Sequence, residues 1–203
     1  MIVDPKGRPY QDIYKLLIGS IVPRPIALVS TISHDGIANL APFSFFTAIS
    51  SNPPLICFCP GPRASGGPRK DTLRNISMTR EFVVNIVSED IAEAMNLTSG
   101  EYPPEVDEFQ LAGLTPAPSM AVKPPRVAES PVNMECSLRL AIEFSEEPGG
   151  GNLIIGDVVR IHVADDLVDN FRIDPDKLRA IGRMGGPTGY TRTRDRFDMV
   201  RPK

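Results

Sequence analysis

Apolar residues in this chain come in short runs broken by Pro, Gly and small polar residues, and that rhythm predicts mostly strand. In residues 23–50, PRPIALVSTISHDGIANLAPFSFFTAIS, the run Ile26-Ala27-Leu28-Val29 is followed by Ser30, Thr31 and Ser33, then by Asp35-Gly36. A second run, Ile37-Ala38-Asn39-Leu40-Ala41, leads into Pro42-Phe43-Ser44-Phe45-Phe46. Two such runs joined by an Asp-Gly pair predict a hairpin. Residues 43–50 also read as strand. Residues 55–59, set between Pro53-Pro54 and Pro60, predict a buried strand by length and flanks. Residues 81–87 form a further β-rich run. From Val132 onward, Asn133, Glu135, Ser137, Arg139 and Ala141 alternate with Met134, Cys136, Leu138, Leu140 and Ile142, which predicts one wet and one dry face. A Gly-rich turn at residues 146–151 then precedes a long strand at 152–163.

Helical patterns are few. Ile13, Leu16, Leu17 and Ile21 give a short amphipathic helix, begun at Asp12 and ended at Gly19-Ser20. Lys70-Asp71-Thr72 opens another, with Asp71 or Thr72 as N-cap and Leu73, Ile76 and Met78 on the apolar face. A third covers about residues 88–98, capped by Ser88, with Ile91, Met95 and Leu97 inward and Gly100 beyond its end. Asp174-Pro175-Asp176 starts a helical turn. Residues 101–131 show no clean period and are expected to be a loop-rich excursion, either a lid, a partner contact or an ordered wrap. About seven strands without regular βα alternation argue against doubly wound and (β/α)8 folds. They predict one mainly β domain over residues 1–203: an antiparallel barrel or sandwich with peripheral helices.

Composition narrows this picture only modestly. With 41% hydrophobic and 23% charged residues, the 203-residue chain has ordinary globular content. Its net charge of -3 offers no electrostatic footprint for nucleic acid. The cluster Arg192, Arg194 and Arg196 reads as a solvated face partly offset by Asp195 and Asp198. The 21 prolines fall mostly between elements, as stiff connections. Three cysteines cannot all pair, and Cys57 and Cys59 read as packed thiols, so a reducing cytoplasm is expected. No apolar run approaches 18 residues and the N-terminus has no apolar signal core, so neither membrane spanning nor export is expected.

Candidate chemistry is sparse. The two histidines, His34 and His162, stand in no metal-ligand pattern; with Asp165 and Asp166 a metal at His162 is conceivable, but a surface histidine at a strand end is the plainer reading. There is no G-x-S-x-G elbow, and the Gly-rich residues 61–70 lack the closing Gly-Lys-[Ser/Thr] of a Walker loop. Lys70-Asp71-Thr72 has two readings. It caps a helix; with Arg63, the helix-start N–H groups, the lysine charge and the threonine hydroxyl can also hold a phosphate monoester. The hairpin likewise reads as an ordinary edge hairpin or as a platform for a flat polar ligand.

Taken in order, PRPIALVST-x-x-x-x-G-x-x-N-L-A-P-F-S-F-F, S-x-x-P-P-L-I-x-F, K-D-T-x-x-N-I, E-F-V-V-N-I and the tail Ile181-Gly182-Arg183-Met184-Gly185-Gly186 with Tyr190 resemble the flavin reductase-like, FMN-binding split β-barrel family. The resemblance covers nearly the whole chain. It implies a Greek-key antiparallel split barrel and a homodimer with FMN near the subunit interface. By matching positions, Ser30 and Thr31 fall near the flavin and its ribityl-phosphate arm. Asn39, Ala41, Pro42, Ser44, Phe45 and Phe46 fall along the ring; Lys70, Asp71 and Thr72 on the phosphate side, where the loop's Arg63 can join them; Arg183 and Tyr190 in a nearby tail segment. The implied function is an NAD(P)H-dependent flavin reductase, with NAD(P)H as co-substrate and a flavin-dependent monooxygenase as possible partner. The alternative is an FMN-binding electron carrier or redox sensor without efficient NAD(P)H turnover. No catalytic side chain is implied, because hydride chemistry belongs to the flavin, and no metal.

Overall fold

The computed structural model describes residues 1–62 and 70–202; Arg63 and most of the Gly-rich loop expected at 61–68 lie outside the described residues. Helix α1 (Tyr10–Ser20) opens the chain and buries only Ile18. It begins two residues before the expected Asp12, behind Pro9. Strands β1 (Ala27–Ile32) and β2 (Ala38–Phe43) form the predicted hairpin, in register from Ala27 opposite Phe43 to Ile32 opposite Ala38. Gly36 in its turn has φ +83°, a conformation open to glycine at little cost.

Strands β3 (Phe46–Ser51) and β4 (Pro54–Phe58), helix α2 (Asp71–Thr79) and strand β5 (Glu81–Ile86) follow. A single turn of tighter helix, Glu89–Ile91, leads into α3 (Ala92–Leu97), where one continuous helix was expected. The excursion contains α4 (Glu108–Ala112) and a small ribbon of β6 (Pro116–Ala117) with β7 (Arg126–Val127). The long pair β8 (Val132–Glu143) and β9 (Asn152–Val163) comes next. The tail holds the ribbon β10 (Val168–Asp169) with β11 (Arg172–Ile173), the turn α5 (Pro175–Leu178), and β12 (Ile181–Arg183) paired with β13 (Tyr190–Arg192).

Seven strands make one antiparallel sheet in the order β2-β1-β5-β8-β9-β4-β3. Its two edges, β2 and β3, are consecutive in the chain and joined only by Ser44 and Phe45. Laid flat, six strand spacings would separate those edges by about 29 Å, whereas the three residue steps from Phe43 to Phe46 reach about 11 Å at most. The sheet must therefore curl into a barrel, as the sequence predicted, with its seam at Ser44-Phe45.

The pleat then sorts the core. Ala27, Val29, Phe43, Ile56, Phe58, Phe82, Val84, Cys136, Leu138 and Ile154 fill the barrel, and Leu73 and Ile76 of α2 pack onto them. Phe58 sits between Phe43 and Phe82, with ring centroids 5.1 and 5.5 Å away. Phe82 also needs Gly156: a Cβ there would stand 2.4 Å from the Phe82 ring. A second cluster covers the outside of β1 and β2. There Leu28 and Leu40 meet Met95 of α3, Phe109 of α4, Val127 and Ile181.

Several expected faces are different. Met78 and Leu97 are exposed, not inward. The strand at 54–58 is buried on one face only, through Ile56 and Phe58. On β8 the expected wet residues Asn133 and Glu135 are buried, while Leu140 and Ile142 of the expected dry face are exposed. For Asn133 and Glu135 the reason is the excursion, which is an ordered wrap. Its backbone lies on polar side chains of the sheet: Val127 N donates to Asn85 Oδ1 (2.9 Å), and Met120 N and Val122 N donate to Glu135 (2.8 and 3.2 Å). His162 is drawn to the same carboxylate, 2.5 Å from Glu135 Oε1, rather than to Asp165 or Asp166. Nor is the C-terminal arginine cluster offset by its sequence neighbours, because Arg192 and Arg194 pair with Glu89 and Arg196 with Asp176.

Candidate functional site

Thr31, near the end of β1, and Asn39, near the start of β2, stand opposite each other on the barrel-facing side of the hairpin. Helix α2 starts beside them. Lys70, not Asp71 or Thr72, occupies its N-cap position, and no side chain caps it. The threonine hydroxyl is engaged elsewhere: Thr72 Oγ1 donates to Asn39 Oδ1 at 2.9 Å. Asn75 Nδ2 donates to Thr31 Oγ1 (3.1 Å), and Thr31 Oγ1 lies 3.3 Å from Asn39 Oδ1. Glu108 completes the network by accepting from Asn39 Nδ2 and from Leu40 N, both at 3.0 Å. All five side chains are buried, so these bonds offset a desolvation cost that unpaired polar groups would bear in full.

Glu108 is the member that motif reading missed. Its local signal was present: Asp107 caps α4 by accepting from Phe109 N and Gln110 N, and Gly113 ends the helix with φ +66°, a regular cap pair. Nothing local shows that α4 reaches Asn39. Burial pushes the Glu108 carboxyl above the usual range, Asp71 adds to the rise, and the Leu40 amide and Asn39 amide only partly oppose it.

Outside this network lie three hollows whose linings overlap. A notch of about 40 Å3 lies at the start of α2, lined by Asn39, Ala41, Pro42, Lys70, Asp71 and Thr72 and closed by Thr98–Tyr102 and Glu108. It shares Pro42 and Ser99 with a cleft of about 210 Å3 that adds Ser44, Arg183 and Tyr190. The cleft shares Met95, Asn96, Pro187 and Tyr190 with an outer groove of about 630 Å3 between α3 and β12–β13. Only the outer groove reaches the ~300–1,000 Å3 usual for small-molecule sites; the notch and the cleft are smaller.

Chain segments far apart in sequence meet here because β12 bridges to Arg24: Arg24 N donates to Arg183 O at 3.0 Å and Arg183 N to Arg24 O at 2.8 Å. Close approach is required beyond that bridge, since a Cβ on Gly185 would lie 3.1 Å from Gly19 Cα. Arg183 is folded onto its own turn. It donates to Gly189 O and Pro187 O (2.6 and 2.7 Å), and its guanidinium sits 4.7 Å from the Tyr190 ring centroid.

The structure thus brings Asn39, Ala41, Pro42, Lys70, Asp71 and Thr72 to the notch and Pro42, Ser44, Arg183 and Tyr190 to the cleft beside it. Others lie elsewhere. Ser30 is fully buried beneath the excursion, where its hydroxyl donates to the Pro125 carbonyl. Thr31 is spent inside the network. Phe45 is exposed at the barrel seam, its carbonyl accepting from Cys59 N (2.9 Å), and Phe46 packs against the barrel core.

A planar amphipathic ring with an anionic tail suits this donor set: Ser44 and Arg183 beside apolar Pro42, Met95 and Tyr190, with Lys70 and the α2 N–H groups at the far end. The fit is tighter at the phosphate end. The notch is little more than the ~30 Å3 share of one water, and Asp71, Glu101 and Glu108 line it too. Lys70 and the helix start therefore offer positive charge at its mouth rather than an enclosed pocket.

Residues 18–194 match the family described as flavin reductase like domain. Component B of nitrilotriacetate monooxygenase from Bacillus cereus is 39% identical, with a TM-score of 0.92 and 98% of each chain covered. The 2-nitrobenzoate 2-nitroreductase NbaA of Pseudomonas fluorescens is 33% identical, with a TM-score of 0.88 over 100% of this chain and 96% of that one. A flavin reductase with split barrel domain from Shewanella frigidimarina shares the fold, at 22% identity and a TM-score of 0.83 over 100% of both chains.

Proposed function

Since the chain belongs to the flavin reductase-like family, we propose that it binds FMN and works as an NAD(P)H-dependent flavin reductase supplying reduced flavin to a partner oxygenase. The observation that carries this reading is the gathering of the hairpin, the start of α2 and the tail around adjoining hollows that share Pro42 and Ser99. A bound flavin would supply the redox chemistry, as hydride acceptor for the nicotinamide. The chain's part is placement. Pro42, Ser44 and Tyr190 orient the ring; Lys70 and the first N–H groups of α2 attract the phosphate; the outer groove leaves room for a second ligand beside the first. The oxygenase partner is supported by the likeness to component B of nitrilotriacetate monooxygenase.

A second copy of the chain is the natural cover for α1. Tyr10, Tyr14, Leu16 and Leu17 of this helix are exposed, and single surface apolar residues are common but a contiguous set is not. The three cysteines are free thiols, in keeping with a reducing compartment. No helix among the described residues is long and apolar enough to cross a membrane.

The test is a visible spectrum of the purified protein with added FMN, taken before and after anaerobic NADH or NADPH. Flavin bands that bleach with either nucleotide are expected. A protein that takes up no FMN refutes the flavin reading; one that holds FMN but bleaches only with a reduced protein donor is an electron carrier instead. Lys70→Ala is expected to weaken FMN by about 1–3 kcal/mol, the scale of a hydrogen bond to a charged group. Unchanged affinity would move the phosphate site away from the notch.

A further inference from the structure

Arg24 is 4% exposed, and its guanidinium is spread over acceptors from three separate segments. Nη1 donates to Ile18 O (2.7 Å) and Ile21 O (3.1 Å), at the end of α1. Nη2 donates to Met184 O (3.1 Å), just past β12. Nε donates to Ser44 Oγ (3.3 Å), at the barrel seam. A guanidinium carries five N–H donors and no acceptor, whereas a serine hydroxyl has one proton and two lone pairs. Toward Arg24 the Ser44 oxygen can therefore only accept, and its single proton must point elsewhere. Among the described residues Ser44 has no other side-chain hydrogen bond, and it lines the cleft beside Pro42, Arg183 and Tyr190.

We propose that Arg24 is a positioning residue that fixes Ser44 as a hydrogen-bond donor into the cleft, toward an acceptor atom on the edge of the flavin ring. This rests on the flavin reading above. The ring edge carries carbonyl oxygens and ring nitrogens, so a donor is the complementary group. Reduction adds electron density to the ring, so the same donor is worth more to reduced than to oxidised flavin. The three carbonyls fix the guanidinium plane, and that fixes the Nε direction from which Ser44 must accept.

The test compares wild type, Ser44→Ala, Ser44→Thr, Arg24→Lys and the Arg24→Lys/Ser44→Ala double variant, reading FMN dissociation constant and midpoint potential for each. Ser44→Ala should weaken oxidised FMN about 5-fold, the scale of one neutral hydrogen bond. It should weaken reduced FMN tenfold more than that, which lowers the two-electron potential by about 30 mV. Ser44→Thr keeps a hydroxyl and should keep the wild-type potential. Arg24→Lys should reproduce the shift, because an amine reaching the α1 carbonyls cannot also hold Ser44, and it should add no further shift once Ser44 is alanine. If Arg24→Lys does not fold, the alanine and threonine variants of Ser44 decide alone. Wild type that binds FMN while Ser44→Ala keeps its potential overturns the inference and leaves the flavin reading standing. Wild type that takes up no FMN overturns both.

Discussion

Two buried glutamates hold this molecule together in opposite ways. Glu108, 6% exposed, sits at the inner edge of the site and accepts two hydrogen bonds, from Asn39 Nδ2 and Leu40 N. Glu135, 0% exposed, lies under the excursion and accepts from Met120 N, Ala121 N and Val122 N (2.8, 2.5 and 3.2 Å), with His162 Nε2 at 2.5 Å. Burial pushes both carboxyls up. At Glu108 that effect prevails, and the charge of Asp71 adds to it. At Glu135 the Met120 amide, His162 and the Ala121 amide outweigh it, so the net direction is down. One carboxylate is fully compensated and works as a staple. The other lies beside the notch, where two hydrogen bonds only partly offset the cost of burying it.

Removing the staple should have the largest effect. Glu135→Ala leaves His162 and three partly buried N–H groups without their acceptor and is expected to cost about 1–3 kcal/mol, the scale for leaving buried donors unsatisfied. Urea unfolding measures it; a loss under about 1 kcal/mol would mean that the excursion is not held by this residue. Asp107→Ala removes the cap of the short helix that carries Glu108 and should cost about 1 kcal/mol. Glu108→Gln keeps the shape and one acceptor but turns an Nε2 donor toward Asn39 Nδ2 or Leu40 N, so it should cost about 1–3 kcal/mol, less what is regained by no longer burying a carboxylate. The same change removes a negative charge from the notch and should tighten FMN a few-fold. Weaker FMN binding by Glu108→Gln would place the phosphate away from this residue.

The contrast also marks what local pattern can convey. The β1–β2 hairpin and its turn were legible because Asp35-Gly36 and its flanking runs act within a dozen residues. Leu73 and Ile76 were legible from helical spacing. The burial of Asn133 and Glu135 was not, since a period of two says which residues share a face and nothing about what covers it. Here the cover is backbone from residues 118–127, which brings N–H and C=O groups that need polar partners, so polar residues belong inside. Glu108 escaped for a related reason: it meets Asn39 across 69 positions of sequence. Lys70-Asp71-Thr72 was legible as a helix start, but the direction of the Thr72 hydroxyl depended on Asn39 across the barrel rim. Composition placed Arg192 and Arg194 on the surface, and only the fold could pair them with Glu89.

Stability as a function of pH should separate the two glutamates with opposite signs. An unfolded glutamate titrates near pH 4.3 (about). The folded carboxyl of Glu108 titrates above that, so between the two values the folded state binds more protons than the unfolded one, and stability falls as pH rises. Its penalty is complete above the folded value and relieved as pH drops toward about 4.3. Glu135 titrates below its unfolded value, so its contribution is complete above about pH 4.3 and is lost only as pH falls through the folded value. Unfolding free energies of wild type, Glu108→Gln and Glu135→Gln, measured from neutral pH down to about pH 3.5, should therefore diverge. The gap between wild type and Glu108→Gln changes on the way down to about pH 4.5, in the direction that favours wild type. The contribution of the Glu135 carboxyl itself is lost only below that range. Two gaps that run parallel across the whole range would show that the carboxylates share one kind of environment, and the division between staple and site would fall with them.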